Sequence, residues 1–449
     1  MKKNSIIQHN SALIVFSREP IPGETKTRLL DLYTPEQCAE LHKCFIKDIA
    51  VEVGKLKADV IVSYTGGEPH SLRAAFGDDA SYREQCSGSL GERMSDAFKK
   101  AFEDGYEKVV LIGTDIPELQ ASTLITAFDR LDVADAVIGP TCDGGYYLIG
   151  MKENCEAAFN VRKYGVGTVF DETIGHIEGL GKTVSVVDKY SDIDEADDII
   201  AFIARMRNNP GFRLSDTAQW IAKHRKVSVI IPVYNEQTVI GDLQKQLAQF
   251  KDTEIIFVDG GSTDNTLQLI GDSFRVISCK KGRAVQMNAG AKASTGDILF
   301  FLHADSKLPS NALQQIYQCL IDNQYGCFGV KFESHNFFMW TNRVISNHRA
   351  WHRGLPFGDQ GIFMDRDLFF EIGMFPEIPI MEDYEMSLRL RDRGIKPGHT
   401  TDRIITSNRR YPKNTIGILK TEYQIWNYRR KYRQGIDPNS LAKKYGDIR

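Results

Sequence analysis

Val227-Ser228-Val229-Ile230-Ile231-Pro232-Val233-Tyr234-Asn235-Glu236 decides the reading of this chain. An unbroken apolar run of this length suits a strand buried on both faces of a sheet. The Pro-containing polar loop behind it leads into a helical pattern at Gln237 to Phe250. The same plan opens the other half, where Ala12 to Phe16 runs into Ser17-Arg18-Glu19-Pro20-Ile21-Pro22-Gly23 and a helical pattern follows at Pro35 to Val53. Each half later has a second apolar run that leads to an aspartate. These are Val109 to Ile112, followed by Gly113-Thr114-Asp115, and Ile298 to Leu302, followed by His303-Ala304-Asp305. Ligands of open α/β sheets bind beyond the carboxyl ends of the strands, so aspartates there are candidate site residues. The expected fold is α/β, two doubly wound domains in tandem. The expected boundaries are residues 1–205, a linker at 206–226 around the turn cluster Asn208-Asn209-Pro210-Gly211, and residues 227–449.

Composition sets the outer limits. The 449 residues provide material for two large cores, with 42% hydrophobic and 26% charged residues. A net charge of -3 argues against nucleic acid as the main partner. From Arg403 onward there are twelve Lys/Arg against three Asp/Glu. That tail suits phosphates, an anionic membrane surface or plain solvation. The eight cysteines form no C-x-x-C pair and read as reduced thiols. With no long apolar run, the expectation is a cytoplasmic protein, at most peripheral to a membrane.

Further segments carry chemistry in the second half: Asp259-Gly260-Gly261-Ser262-Thr263-Asp264, Lys281-Gly282-Arg283, Gly358-Asp359-Gln360-Gly361 and Met381-Glu382-Asp383. Together with Val227 to Glu236 they resemble family 2 glycosyltransferases of the GT-A fold, and among them a family labelled for arsenosugar biosynthesis. The resemblance implies a nucleotide-diphosphate sugar as donor. Pro232, Tyr234, Asn235, Glu236, Gly261 and Ser262 would line the donor nucleotide. Asp259 would accept from the base; taken alone it would read as an ordinary Asp-Gly turn, but within the series it reads as a donor-site residue. Asp305 would hold Mg²⁺ or Mn²⁺ on the diphosphate, since such cations take oxygen ligands. Relatives carry an acid where His303 stands, so His303 is either a second metal ligand or a partner of the ribose. Asp383 would be the base that takes the acceptor proton, with Glu382 beside it, and a single base implies inversion. Lys281, Arg283, Arg409 and Arg410 would meet donor phosphates, because a guanidinium donates two bonds at once. Asp359 and Gln360 would shape the acceptor side. The acceptor is left open between a small molecule and a lipid, and the oligomeric state is open too.

The first half, from Ala12 through Gly23-Glu24-Thr25-Lys26-Thr27-Arg28-Leu29, with Gly91-Glu92-Arg93-Met94, Gly113 to Pro117 and Gly139 to Tyr147, resembles a GT-A-like family related to nucleotidyltransferases. The resemblance implies that Arg18, Lys26 and Arg28 neutralise a nucleotide and that Asp115 and Asp143 hold a metal. Activation of a sugar phosphate and a non-catalytic binding module are the two expectations for this half.

Overall fold

The computed structural model describes residues 10–165, 167–212, 214–334, 336–407 and 415–445. The chain divides into two units, Met1–Ile221 and Ala222–Arg449. The segment expected as a linker contains a helix, Asp216–His224, whose first N–H groups at Asp216 and Thr217 donate to the Asp48 carboxyl at 2.8 and 2.9 Å.

The first unit is built on β1 (Ser11–Arg18), β2 (Asp59–Thr65), β3 (Ser81–Glu84), β4 (Lys108–Gly113), β5 (Ala136–Pro140), β6 (Tyr146–Met151) and β7 (Val184–Val186), ordered β3-β2-β1-β4-β6-β5-β7. The second is built on β8 (Val227–Val233), β9 (Glu254–Asp259), β10 (Arg275–Ser278), β11 (Ile298–Phe301), β12 (Ser306–Lys307), β13 (Tyr325–Phe332), β14 (Ile362–Asp365) and β15 (Gly398–Thr406), ordered β10-β9-β8-β11-β14-β13-β15-β12. The plan is shared. Four parallel strands come first, then one antiparallel strand, β6 or β14, inserts between its neighbours. β7 then runs parallel to β5, and β15 parallel to β13. Both units are α/β sheets of mixed direction. The apolar runs do not distinguish strand direction, because an antiparallel strand covered on both faces carries the same run.

Side-chain alternation explains those runs. In β8, Val229 and Ile231 enter the core on one face while Ile230 enters the core on the other. In β1, Leu13 and Val15 face one core and Ala12 and Ile14 the other. Each fully buried Val or Ile contributes roughly 1.5–3 kcal/mol. Pro232 costs little in β8, because β11 has already ended and β8 pairs there only with β9. The helix expected at Pro35 to Val53 has those bounds, fixed by Pro35 at its start and a reciprocal Thr34–Gln37 capping box. The helix after β8 is shorter than its pattern, Ile240–Leu247, because Glu236 and Gln237 are held in the preceding loop.

Candidate active site

In the second unit the loops after β8 and β9 are laced together. Asn235 is left-handed, with φ 56°, and its side chain compensates: its Oδ1 accepts the Thr263 N–H at 2.8 Å and its own N–H donates to Ser262 Oγ at 2.9 Å. The Glu236 N–H donates to Thr266 Oγ1 at 2.7 Å. The Lys281 ammonium lies 4.3 Å from the centre of the Tyr234 ring, a cation–π contact at the loop's mouth. Asp259 is only 2% exposed and accepts from the Gly261 and Ser262 N–H groups at 2.9 and 3.1 Å and from Ser262 Oγ at 2.6 Å. This differs from the expectation of an oxygen offered to the base. The carboxyl group is used to close the turn that presents Gly261 and Ser262.

Gln286 was not foreseen. Its Nε2 donates to Val233 O and Val258 O, each at 2.8 Å, tying the ends of β8 and β9 together. Only the fold shows that this amide lies beneath the loop, where a Cβ on Gly260 would stand 3.0 Å from it.

The catalytic end gathers His303, Gly358 and Asp383. Asp383 is the second residue of the Glu382–Asp392 helix, whose entry passes through Met381 at φ 69°. Its Oδ2 accepts the Gly358 N–H at 2.7 Å and its Oδ1 accepts the Tyr384 N–H at 2.7 Å. His303 closes the third side: a Cβ on Gly358 would stand 2.8 Å from His303 Nε2 and 3.3 Å from Asp383 Oδ2. The histidine Nε2 is buried against Gly358, next to the expected base. Asp305, half-buried, lies two residues further on in the same turn. Among the described residues no group of three or more His, Cys, Asp or Glu is arranged to hold a metal by itself.

Two expected roles change. Glu382 is 2% exposed and pairs with Arg283 at 3.2 Å. Burial pushes its carboxyl pKa up, Arg283 pulls it down and Asp383 pushes it up again, and the net shift is upward. Its carboxylate holds the Arg283 guanidinium. Gln360 is fully buried; its Oε1 accepts from Arg349 at 3.2 Å and from the Phe357 N–H at 3.1 Å. It shapes the Gly358–Gln360 turn from beneath, and only Asp359 of the pair is partly open to solvent. Arg409 and Arg410 lie outside the described residues.

The first unit holds a cavity of about 340 Å³ at the carboxyl ends of β1 and β4, lined by Arg18, Lys26, Arg28, His42, Arg93 and Asp115 among others. Lys26, left-handed at φ 51°, donates to Asp115 Oδ1 at 2.6 Å, Asp194 Oδ1 at 2.7 Å and Ile193 O at 2.7 Å. An ammonium has three N–H donors, and all three are used. Lys26 is therefore not presented to a nucleotide as the sequence suggested; its cation sits on the very acid expected to bind metal. Burial works against the Lys26 charge, but Asp115 and Asp194 outweigh it and its pKa rises. For Asp115, burial pushes the pKa up, Lys26 more than reverses this, and the net shift is down. Arg18 Nη1 donates to Glu24 O at 2.8 Å, and Arg28, two-thirds exposed, lies 3.5 Å from Glu195. Asp143 does not line the cavity. Its Oδ1 accepts from the Thr141 hydroxyl and, at 3.0 Å, from the Gly145 N–H, so it closes the turn between β5 and β6.

Here too the sequence reading missed partners. His42 lines the cavity, and its Nε2 lies 3.2 Å from Thr114 Oγ1. Burial pushes its pKa down to about 4, so the ring is neutral. Asp192 is pushed up to about 6 by burial and by Asp194 and Asp143. The acid-dense run Asp192-Ile193-Asp194-Glu195 was the available signal for the two aspartates; nothing in the helix pattern around His42 marks it.

Residues 228–376 match the family model for glycosyl transferase family 2, and residues 50–166 match the model described as an uncharacterized protein conserved in bacteria, DUF2064. Two separate segments of the chain thus match two different family models. Among curated relatives it is 27% identical over 156 residues to an undecaprenyl-phosphate 4-deoxy-4-formamido-L-arabinose transferase of Enterobacter sp. (strain 638), covering 31% of this chain and 47% of that one. It is 35% identical over 103 residues to an uncharacterized glycosyltransferase of Nostoc sp. (strain PCC 7120), covering 21% and 32%. The chain thus spans less than half the length of these curated relatives. A solved structure from Desulfovibrio desulfuricans G20, assigned as a nucleotide-diphospho-sugar transferase, is 32% identical, with 48% of this chain and 94% of that one covered and a TM-score of 0.45.

Proposed function

We propose that the second unit transfers a glycosyl group, with inversion, from a nucleotide-diphosphate sugar to an acceptor hydroxyl. The observation that carries this is Asp383, oriented by the Gly358 and Tyr384 N–H groups and flanked by His303. Each oxygen of a carboxylate has lone pairs beyond the one so used, and a free one can take the acceptor proton. The new bond forms from the acceptor oxygen to the sugar carbon, the bond from that carbon to the diphosphate breaks, and the proton passes to Asp383. The loops of Asn235, Gly261 and Ser262 would receive the nucleotide, with Lys281 and the Glu382-fixed Arg283 nearest the phosphates. Asp305 fits a divalent cation that takes most of its ligands from the diphosphate and water, as a site with one carboxylate requires. Bound there, Mg²⁺ or Mn²⁺ would neutralise the leaving diphosphate. Asp359, partly open to solvent, would face the acceptor.

For the first unit, the cavity and its guanidinium groups support binding of a nucleoside phosphate, and nucleotidyl transfer to a sugar phosphate is the activity that would feed the second unit. A second reading is favoured by the Lys26–Asp115 contact: an acid already neutralised by an ammonium suits a binding module without turnover.

The test of the main reading is a melting-temperature screen of nucleotide sugars with Mn²⁺ or Mg²⁺, followed by transfer assays with Asp383→Asn. The right donor should raise the melting temperature by mass action. Asp383→Asn should keep that rise and lose at least about 100-fold in transfer. Undiminished transfer by the variant would remove Asp383 from the role of base.

A further inference from the structure

Among the described residues, two helices of the second unit carry exposed apolar stripes. In the Phe337–Arg353 helix, Phe337, Trp340 and Val344 recur at i, i+3 and i+7 and are exposed, Phe337 by 66%. In the Thr415–Arg433 helix, Ile416, Leu419, Tyr423 and Trp426 recur at i, i+3, i+7 and i+10, with Ile416 80% and Tyr423 64% exposed. A helix packed in a globular domain turns its apolar stripe inward. Here the inward contact is made by other residues: Met339 of the first helix and Ile418 of the second share one small core with Val330 and Phe332. The stripes themselves are dominated by aromatic rings, stacked in pairs, Phe337 on Trp340 at 5.8 Å and Tyr423 on Trp426 at 5.9 Å.

Charge selects the occupant. The Thr415–Arg433 helix bears five cations, Lys420, Arg429, Arg430, Lys431 and Arg433, against the single acid Glu422. Arg430 lies over the Trp426 ring at 5.7 Å, at the end of the stripe. A second copy of the chain docking here about a two-fold axis would set this cationic helix against itself. An anionic bilayer surface attracts the cations and receives the aromatic stripe at headgroup depth. No helix among the described residues is long and apolar enough to cross a membrane, so contact would be at the surface.

The same helices touch the acceptor end of the site. The Phe357 ring, next to Gly358, lies against Arg349 of the first helix at 3.5 Å and Arg429 of the second at 5.6 Å. Tyr432 donates to Glu385 Oε2 at 2.8 Å, two residues from Asp383. We infer that the stripes of the Phe337–Arg353 and Thr415–Arg433 helices form a surface for an anionic membrane, which presents a lipid-borne acceptor to Asp383. The second clause rests on the transferase reading above; the first does not.

The test is flotation of the full chain with vesicles of phosphatidylglycerol and phosphatidylcholine in equal parts, compared with pure phosphatidylcholine. Binding to the anionic vesicles should be at least about tenfold stronger, and weaken with salt. Trp340→Glu and the pair Tyr423→Glu with Trp426→Glu should each lower it about tenfold or more, with unchanged melting temperature and unchanged response to donor. Absence of flotation, or flotation indifferent to these substitutions, overturns the surface. So does light scattering that finds a dimer which the substitutions dissolve without any vesicle binding. Vesicle binding by a protein that answers to no nucleotide sugar would keep the surface and refute the transferase reading; the opposite pairing would do the reverse.

Discussion

Gly358 is the residue on which the catalytic end closes. It gives its N–H to Asp383 and leaves no room for a side chain against His303. Gly358→Ala should therefore move His303 or the base by a few tenths of an ångström, lowering transfer at least about tenfold while donor binding persists, since small misplacements of reacting groups are costly. Equal transfer by the variant would refute the close placement. In the first unit, two shifted groups give opposite pH slopes. His42 has a folded pKa of about 4 against an ordinary 6.5, so the unfolded chain binds its proton first; its contribution is present above 6.5 and lost as pH falls to about 4. Asp192 has a folded pKa of about 6 against 3.8, so the folded chain holds the proton more tightly; stability falls as pH rises from about 4 to 6. The two offset one another in that window. Melting of Asp192→Asn should rise more steeply with pH than the parent, and melting of His42→Asn should fall; parallel curves would refute both assignments. Asp383, Asp305 and Asp115 could be singled out as candidates from the sequence because each follows a recognisable local signal. His42, Asp194 and Gln286 act through partners 28 to 168 residues away, and no local pattern carries such pairings.

Elements were legible where local chemistry decides them and not where pairing does. The Thr34–Gln37 capping box and Pro35 fix a helix start that any reader of the sequence can find. The antiparallel insertion of β6 and β14 left no such mark, because burial on both faces erases the difference between strand directions. The site depends on that insertion, since β14 follows directly on the Gly358–Gln360 turn. β14 pairs with β13 only as far as Cys327. Beyond it the open edge of β13 is completed by a side chain: Asn347 Oδ1 accepts the Val330 N–H at 2.8 Å and its Nδ2 donates to Val330 O at 3.1 Å. Asn347→Leu strands both groups in a buried place. It should cost about 2–4 kcal/mol, near one to two desolvated backbone groups, read as a lower urea midpoint with an unchanged slope. A loss below about 0.5 kcal/mol, the range of an ordinary surface change, would mean that water takes the place of the amide.

At the scale of the whole molecule, one strand plan occurs twice in a chain whose halves match different family models. Each unit has its own sheet and its own pair of flanking cores. That independence has a thermodynamic consequence: the full chain should melt in two transitions, each answering to its own ligand. A nucleotide sugar with Mn²⁺ should raise the transition of the second unit alone, and a nucleoside triphosphate that of the first. Lys26→Ala separates them further. It removes the ammonium that holds Asp115 and Asp194 together; Lys26 is 6% exposed, whereas Asp115 is half open to the cavity and its charge is partly met by solvent. The loss should then fall near about 2 kcal/mol, below the range for a fully buried pair, or roughly 5 °C in a unit of this size. Only the first transition should move, and the donor response of the second should stay. A single transition that both ligands raise, or a Lys26→Ala chain that loses its donor response, would mean that the two units are energetically one, and that the cavity of the first works through the site of the second.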